Sequence, residues 1–213
     1  MSQASITGKA ISVLIVDDHP LLREGLAAVI EGEADMTIVA EASNGREAID
    51  CFRAHRPDVT LMDLQMPEMD GVEATVAIRT EWCDARIVML TTYRGDAQAL
   101  RALKAGACGY LLKSMVRVNL LEAIRAVHAG RRYIPREIAS ELAAHVTDEA
   151  LSVREVEVLR RIAAGGSNKL IAAQLFLSED TIKSHIRNIM SKLSANDRTH
   201  AVTIAIKRGI IEM

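Results

Sequence analysis

The sequence predicts a doubly wound (βα)5 parallel-sheet domain of the α/β class, followed by a small all-α helix-turn-helix domain. Three observations predict it. Five short apolar runs recur at near-even spacing over residues 11–112, and none alternates polar with apolar: three carry a single Ser or Thr and two are apolar at every position. Segments of helical periodicity fill the intervals between them. From Leu151 onward the strand-like runs stop and only helical segments remain. Strands without polar alternation are buried on both faces, which belongs to a parallel sheet covered by helices.

The elements follow in order. The apolar runs are Ile11–Val16, Met36–Ala40, Val59–Met62, Ile87–Leu90 and Tyr110–Leu112. The first helix, Pro20–Ile30, sets Leu22, Leu26, Val29 and Ile30 on one stripe, with Pro20 suited to a first turn. The second, Asn44–His55, carries Ala48, Ile49 and Phe52 and starts at a capping Asn44. Val72–Thr80, Gly95–Ala105 and Val116–Ala129 complete the alternation, with right-handed crossovers expected throughout.

Composition narrows the class. Of 213 residues, 49% are hydrophobic and 25% charged, the balance of a globular protein and not of a disordered one. No apolar run approaches the roughly 18 residues of a membrane span. The N-terminal stretch lacks a basic n-region and a small-residue cleavage site, so no signal peptide is expected. Cys51, Cys83 and Cys108 are odd in number and without CxxC spacing, as for reduced thiols in a cytoplasmic protein. Charge divides unevenly: residues 1–130 hold 18 acids and 13 bases, whereas residues 131–213 hold 10 acids and 13 bases. An acidic module precedes one suited to polyanions.

In doubly wound domains ligands bind beyond the carboxyl ends of the strands. There the first strand leads into Asp17-Asp18, the third into Asp63, the fourth into Thr91-Thr92 and the fifth into Lys113. Two carboxylates about 5 Å apart repel by roughly 3 kcal/mol at an effective dielectric of 20. Three together need counter-charge: one lysine supplies part, and a hard divalent cation, best Mg2+, supplies the rest. The chemistry this supports is phosphoryl capture, with Asp63 as nucleophile forming an acyl phosphate. Mg2+ on Asp18 and Asp63 would neutralise the equatorial oxygens, and Lys113 and Thr91 would contact the others. A lone Asp at a strand end is more often a turn residue, and Asp18 alone would pass for a cap of the helix at Pro20. The combination at four strand ends favours the chemical reading.

These residues carry a resemblance. Val-Asp17-Asp18-His-Pro, Leu-Met-Asp63-Leu-Gln-Met-Pro67, Leu-Thr91-Thr-Tyr93 and Ala-Gly106-Ala-Cys-Gly109-Tyr110-Leu-Leu-Lys113 resemble the receiver domain of two-component response regulators, over residues 11–130. The resemblance implies that Asp63 is phosphorylated by a sensor histidine kinase and that Asp17, Asp18, Asp63 and the main-chain carbonyl of Gln65 hold Mg2+. It implies Thr91 and Tyr110 as a switch pair, the hydroxyl moving toward the phosphoryl group and the ring turning inward behind it. Gln65 and Tyr93 are placed to influence water access to the acyl phosphate.

Residues 131–149 form a connector. Ile134, Ile138, Leu142 and Val146 repeat every fourth position with Pro135 near the start, which predicts an amphipathic helical linker. Residues 150–213 follow as the second domain. Val153–Ala164 is a helix stopped by Gly165-Gly166. Asn168–Phe176 is a second, Leu177-Ser178 a tight turn, and Ser178 the N-cap of a third helix reaching Leu193, with Glu179 and Asp180 complementing its dipole. Two helices joined this way are a helix-turn-helix. The third helix turns Ile182, Ile186, Ile189 and Leu193 inward. Its other side carries Thr181, Lys183, Ser184, Arg187, Asn188, Ser191 and Lys192, residue types that bind base edges or phosphates of double-stranded DNA.

This segment resembles the LuxR-type effector domain of the NarL class. The matching residues are Leu151-Ser-Val-Arg154-Glu155-Val-Glu-Val-Leu, Gly166-Ser-Asn168-Lys169-Leu-Ile-Ala-Ala, Ser178-Glu-Asp-Thr181-Ile-Lys183-Ser-His185-Ile and Lys192-Leu-Ser-Ala-Asn-Asp-Arg198-Thr-His-Ala. The resemblance implies that Lys183, Ser184 and Arg187 face bases, and that Asn168, Lys169, Thr181 and Lys192 hold phosphates. It implies a final helix, Thr199–Arg208, exposing Val202 and Ile206 for dimerisation. Ser152 stands where threonine is usual, and Ser184 where an apolar residue is common.

The expected function is a phosphorylation-controlled transcriptional regulator: a homodimer on phosphorylation, reading half-sites about 10 base pairs apart, without membrane attachment and without turnover as an enzyme beyond slow autodephosphorylation. Two other readings compete. A Mg2+-dependent aspartyl phosphatase of the haloacid-dehalogenase type would carry Asp-x-Asp on the first strand, which is absent. A DNA-binding protein with a vestigial receiver would lack the complete set of strand-end groups.

Overall fold

The computed structural model describes residues 9–92, 96–144 and 149–211. Two compact units emerge, one of residues 9–92 and 100–136, the other of 96–99, 137–144 and 149–211.

In the first unit a five-stranded parallel sheet has the order β2-β1-β3-β4-β5, from β1 (Ile11–Val16), β2 (Met36–Ala42), β3 (Val59–Asp63), β4 (Ile87–Thr91) and β5 (Gly109–Leu112). All strands but β2 are buried at every position, which is why their sequences show no alternation. One face packs Val13, Ile15, Leu61, Val88, Leu90 and Leu111 against α1 (Pro20–Glu31) and α5 (Val116–His128) through Leu26, Ile30, Leu120, Ile124 and Val127. The alternate strand positions, among them Leu14, Val16, Met62 and Met89, point to the opposite face and are as deeply buried. Helices α2 (Gly45–His55), α3 (Gly71–Glu81) and, from residue 100 on, α4 (Asp96–Lys104) complete the alternation.

Local chemistry sets the helix starts. Asn44 caps α2 as expected, accepting from the Glu47 N–H at 3.0 Å. Asp70 and Glu73 form a reciprocal capping box on α3, a start that the apolar pattern placed one residue late. Helix α1 enters through Pro20, and its N-cap is His19 without a side-chain bond, so Asp18 caps nothing.

The connector differs from its expectation. Residues 131–135 are not helical: Tyr133 bridges Gly109, its carbonyl accepting from the Tyr110 N–H at 2.8 Å and its N–H donating to the Cys108 carbonyl at 3.1 Å. The first unit therefore reaches residue 136, past the boundary at 130. The helix, α6, spans Arg136–Ala144 and buries Ile138; Val146 lies outside the described residues.

In the second unit α7 (Val153–Ala163), α8 (Asn168–Leu175), α9 (Glu179–Lys192) and α10 (Arg198–Lys207) enclose a core of Val158, Leu159, Ile162, Ile171, Leu175, Ile182 and Ile189. Each helix has a side-chain N-cap: Ser152, Ser167, Ser178 and Asp197. Gly165 at φ +82° turns the chain after α7, a conformation that disfavours side chains. No helix among the described residues is long and apolar enough to cross a membrane.

Candidate functional site

Strand register assembles the first site. Val16 pairs with Met62, so Asp17 and Asp63 emerge side by side, where the strand order reverses between β1 and β3. Asp63 pairs with Leu90 and Thr91 with Leu112, which brings Thr91 and Lys113 to the same edge. Asp17 is fully buried, Asp63 and Thr91 nearly so, and Asp18 is half-buried.

The Lys113 ammonium lies 2.7 Å from Asp17 Oδ2 and 2.9 Å from Asp63 Oδ2, bridging the two buried carboxylates. Burial pushes the Asp63 carboxyl up to about 6; Lys113 and the Gln65 N–H oppose the shift, and the Asp17 charge reinforces it. Burial works against the charged Lys113, yet its bonds to Asp17 and Asp63 win and raise its pKa above the usual lysine range. Arg23 adds a second cation, donating to the Asp17 carbonyl at 2.7 Å.

Ligand atoms of Asp17, Asp18, His19 and Asp63 all lie within 4.8 Å of one another. This donor set, mostly carboxylate oxygens, suits a hard divalent cation. Three acids against one bridging ammonium leave the residual negative charge that such an ion would offset.

Sequence reasoning missed two contributors here. His19 Nδ1 stands 2.6 Å from Asp18 Oδ1 and 3.2 Å from Asp17 Oδ1; its place directly after the acid pair was the available signal. Gly71 is the other: a Cβ there would sit 2.0 Å from the Asp63 carbonyl oxygen, so only glycine lets α3 start against the end of β3. Tyr110 is fully buried. Gln65 is half-buried in the loop after β3, and Tyr93 lies outside the described residues.

The second site is the outer face of α9. Lys183, Ser184, Arg187 and Asn188 are exposed there, and Lys169 is exposed on α8. Lys183 rests on Asp180 at 2.9 Å, an i,i+3 pair at the surface. Thr181 shares its hydroxyl with Ser178 Oγ at 2.8 Å, and Asn168 is half-buried in the first turn of α8.

Two placements depart from expectation. Lys192 turns toward α7, its ammonium 3.0 Å from Glu155, 3.3 Å from Glu149 and 3.3 Å from the Ala150 carbonyl. Glu155 is buried and also closes the α7 capping box, so it draws the lysine in. Val202 and Ile206 are half-buried against the domain core and not freely exposed, because α10 turns Ala201 and Ala205 inward and these small residues let the flanking positions close in.

Comparison with known proteins follows the same division. The family model for the response regulator receiver domain matches residues 13–125, and that for bacterial regulatory proteins of the luxR family matches residues 149–205. The uncharacterized transcriptional regulatory protein YxjL of Bacillus subtilis is 38% identical over 213 residues, covering 95% of this chain and 98% of YxjL. Among solved structures, the response regulator ChrA of a heme-sensing two-component system is 39% identical, with a TM-score of 0.57 over 96% of this chain and 100% of ChrA. RcsB from Salmonella enterica serovar Typhimurium, solved on promoter P1flhDC with the phosphomimetic BeF3−, is 26% identical, with a TM-score of 0.72 over 92% of this chain and 98% of that one.

Proposed function

The chain belongs to the response regulators, joining a receiver domain to a LuxR-family DNA-binding domain, and from that premise we propose that Asp63 accepts a phosphoryl group from a sensor histidine kinase and so controls DNA binding by the α9 face. One observation carries the reading: a buried carboxylate at the central strand end, held 2.9 Å from Lys113 and beside two further acids.

In the proposed step an Asp63 oxygen attacks phosphorus, the P–N bond of the donor phosphohistidine breaks, and the imidazole nitrogen leaves with the electron pair. Lys113 keeps its ammonium against the oxygens of the incoming group, and the Thr91 hydroxyl donates to another. Asp17, Asp18, Asp63 and the Gln65 carbonyl would hold Mg2+, which when bound offsets charge on the phosphoryl oxygens. Thr91 and Tyr110 then carry the added charge outward as a two-state element.

The output is a homodimer whose α9 helices enter successive major grooves of double-stranded DNA. Lys183, Ser184 and Arg187 face the bases, with Lys169, Thr181 and Asn168 toward phosphates and Asn188 on the same DNA-binding face. Each chain takes up one phosphoryl group without turnover of substrate, and the free thiols of Cys51, Cys83 and Cys108 suit a cytoplasmic setting.

The test combines intact-mass measurement with a DNA titration, each with and without acetyl phosphate and Mg2+. We expect a single phosphoryl adduct, absent from Asp63→Asn, and tighter DNA binding that tracks it. An adduct retained by Asp63→Asn overturns the reading.

A further inference from the structure

We propose that Asn188 reads an adenine in the major groove, beside the base that Arg187 reads, and so fixes one base pair of each half-site. The inference rests on the DNA-binding reading above and adds which side chain sets which base.

Helical geometry sorts the side chains of α9. At about 100° per residue, Ser184 and Ser191 point directly away from the inward stripe of Ile182, Ile186, Ile189 and Leu193. Arg187 and Asn188 stand about 50° to either side of that outward direction, and Lys183 about 90° round from it. Ser184, Arg187, Asn188 and Ser191 are all exposed, and they form one ridge at i, i+3, i+4 and i+7.

Partners sort the same face again. Lys183 rests on Asp180 at 2.9 Å, and the Thr181 hydroxyl is bonded to Ser178 Oγ. Lys192, one turn beyond Asn188 on the same side of the helix, is drawn away to Glu155 at 3.0 Å and Glu149 at 3.3 Å, which clears that side of its long cation. Among the described residues, the side chains of Ser184, Arg187, Asn188 and Ser191 have no hydrogen bond or ion pair. The ridge is what α9 leaves open to a ligand.

Reach and donor pattern then select the base. An asparagine side chain is short, so it meets a base edge only where the helix lies deep in the groove. Ser184 and Ser191, which point straight out, are small enough to allow that depth. The Asn188 amide carries an acceptor and a donor side by side, the pattern that adenine complements. Its Oδ1 accepts from the adenine N6–H2, and its Nδ2–H donates to N7.

The experiment mixes the full chain, with acetyl phosphate and Mg2+, with double-stranded DNA randomised over the site, and sequences what is retained. Wild type should select an A·T pair at one position of each half-site that depends on Asn188. Asn188→Ala should relax that position by about tenfold or more and leave the others within about twofold, with the melting temperature not lowered. Asn188→Asp, which keeps the shape and removes the Nδ2 donor, should lose adenine at the same position. Unchanged selection by Asn188→Ala, an equal loss of affinity for every sequence, or relaxation at a G·C position overturns the inference while DNA binding by α9 stands. Failure of wild type to retain any DNA overturns the DNA-binding reading together with it.

Discussion

Asp63 is costly where it stands. Its carboxyl, raised to about 6 by burial, is ordinary near 3.9 once the chain unfolds. Between those values the folded chain holds a proton that the unfolded chain has released, so stability falls as pH rises through the window. Above it the accumulated loss is about 3 kcal/mol. In Mg2+-free buffer the first unit should therefore melt higher at pH 5 than at pH 7.5. Asp63→Asn should flatten that slope and raise the melting temperature at pH 7.5, a stabilisation of about 2 kcal/mol; thermal scans of both proteins at both values check this. Asp17, Asp18, Asp63, Thr91 and Lys113 were legible in the sequence because each lies at or just past the carboxyl end of a buried strand, and strand ends of a parallel sheet share one edge. The His19 ring was not, since side-chain direction in a turn leaves no periodic trace.

Helices and strands meet most tightly at Gly71. A methyl group there would overlap the Asp63 carbonyl, so Gly71→Ala must either pull α3 off its start or push the end of β3 aside. We expect a loss of about 3 kcal/mol or more in denaturant titration, with phosphoryl uptake impaired in whatever remains folded. On α9 the opposite holds. Arg187 is exposed, and Arg187→Ala should leave the melting temperature unchanged while weakening DNA binding and altering its sequence preference. Lys169→Ala should weaken binding uniformly and lower the salt slope by about one unit, read from titrations at several ionic strengths. The amphipathic division of α9 was legible from its 3.6-residue period. The inward turn of Lys192 was not, because its partner Glu155 lies on α7, 37 residues away, and that pairing exists only after folding.

At the scale of the chain, the change from strand-bearing to purely helical sequence marked the two domains, and each has its own core. The connector was expected to be helical with its start near Pro135, and α6 does begin at Arg136; the residues before it take another role. Tyr133, three residues ahead of that helix, pairs with β5, a contact that no local periodicity announces. Fragments of the first unit ending at 136 and at 130 make the comparison: the shorter one loses three backbone bonds, two through Tyr133 and one from the Arg131 N–H to the Ala126 carbonyl, and should be less stable by about 3 kcal/mol. A melting curve on each decides it. There is a second cost to such trimming. β5 is the outermost strand on its side, and Tyr133 satisfies amide and carbonyl groups that would otherwise lie bare along that rim. A bare rim is a template on which another molecule's strand can dock, and then another. The few residues after α5 thus act as a selvage, keeping the sheet from growing sideways into aggregates.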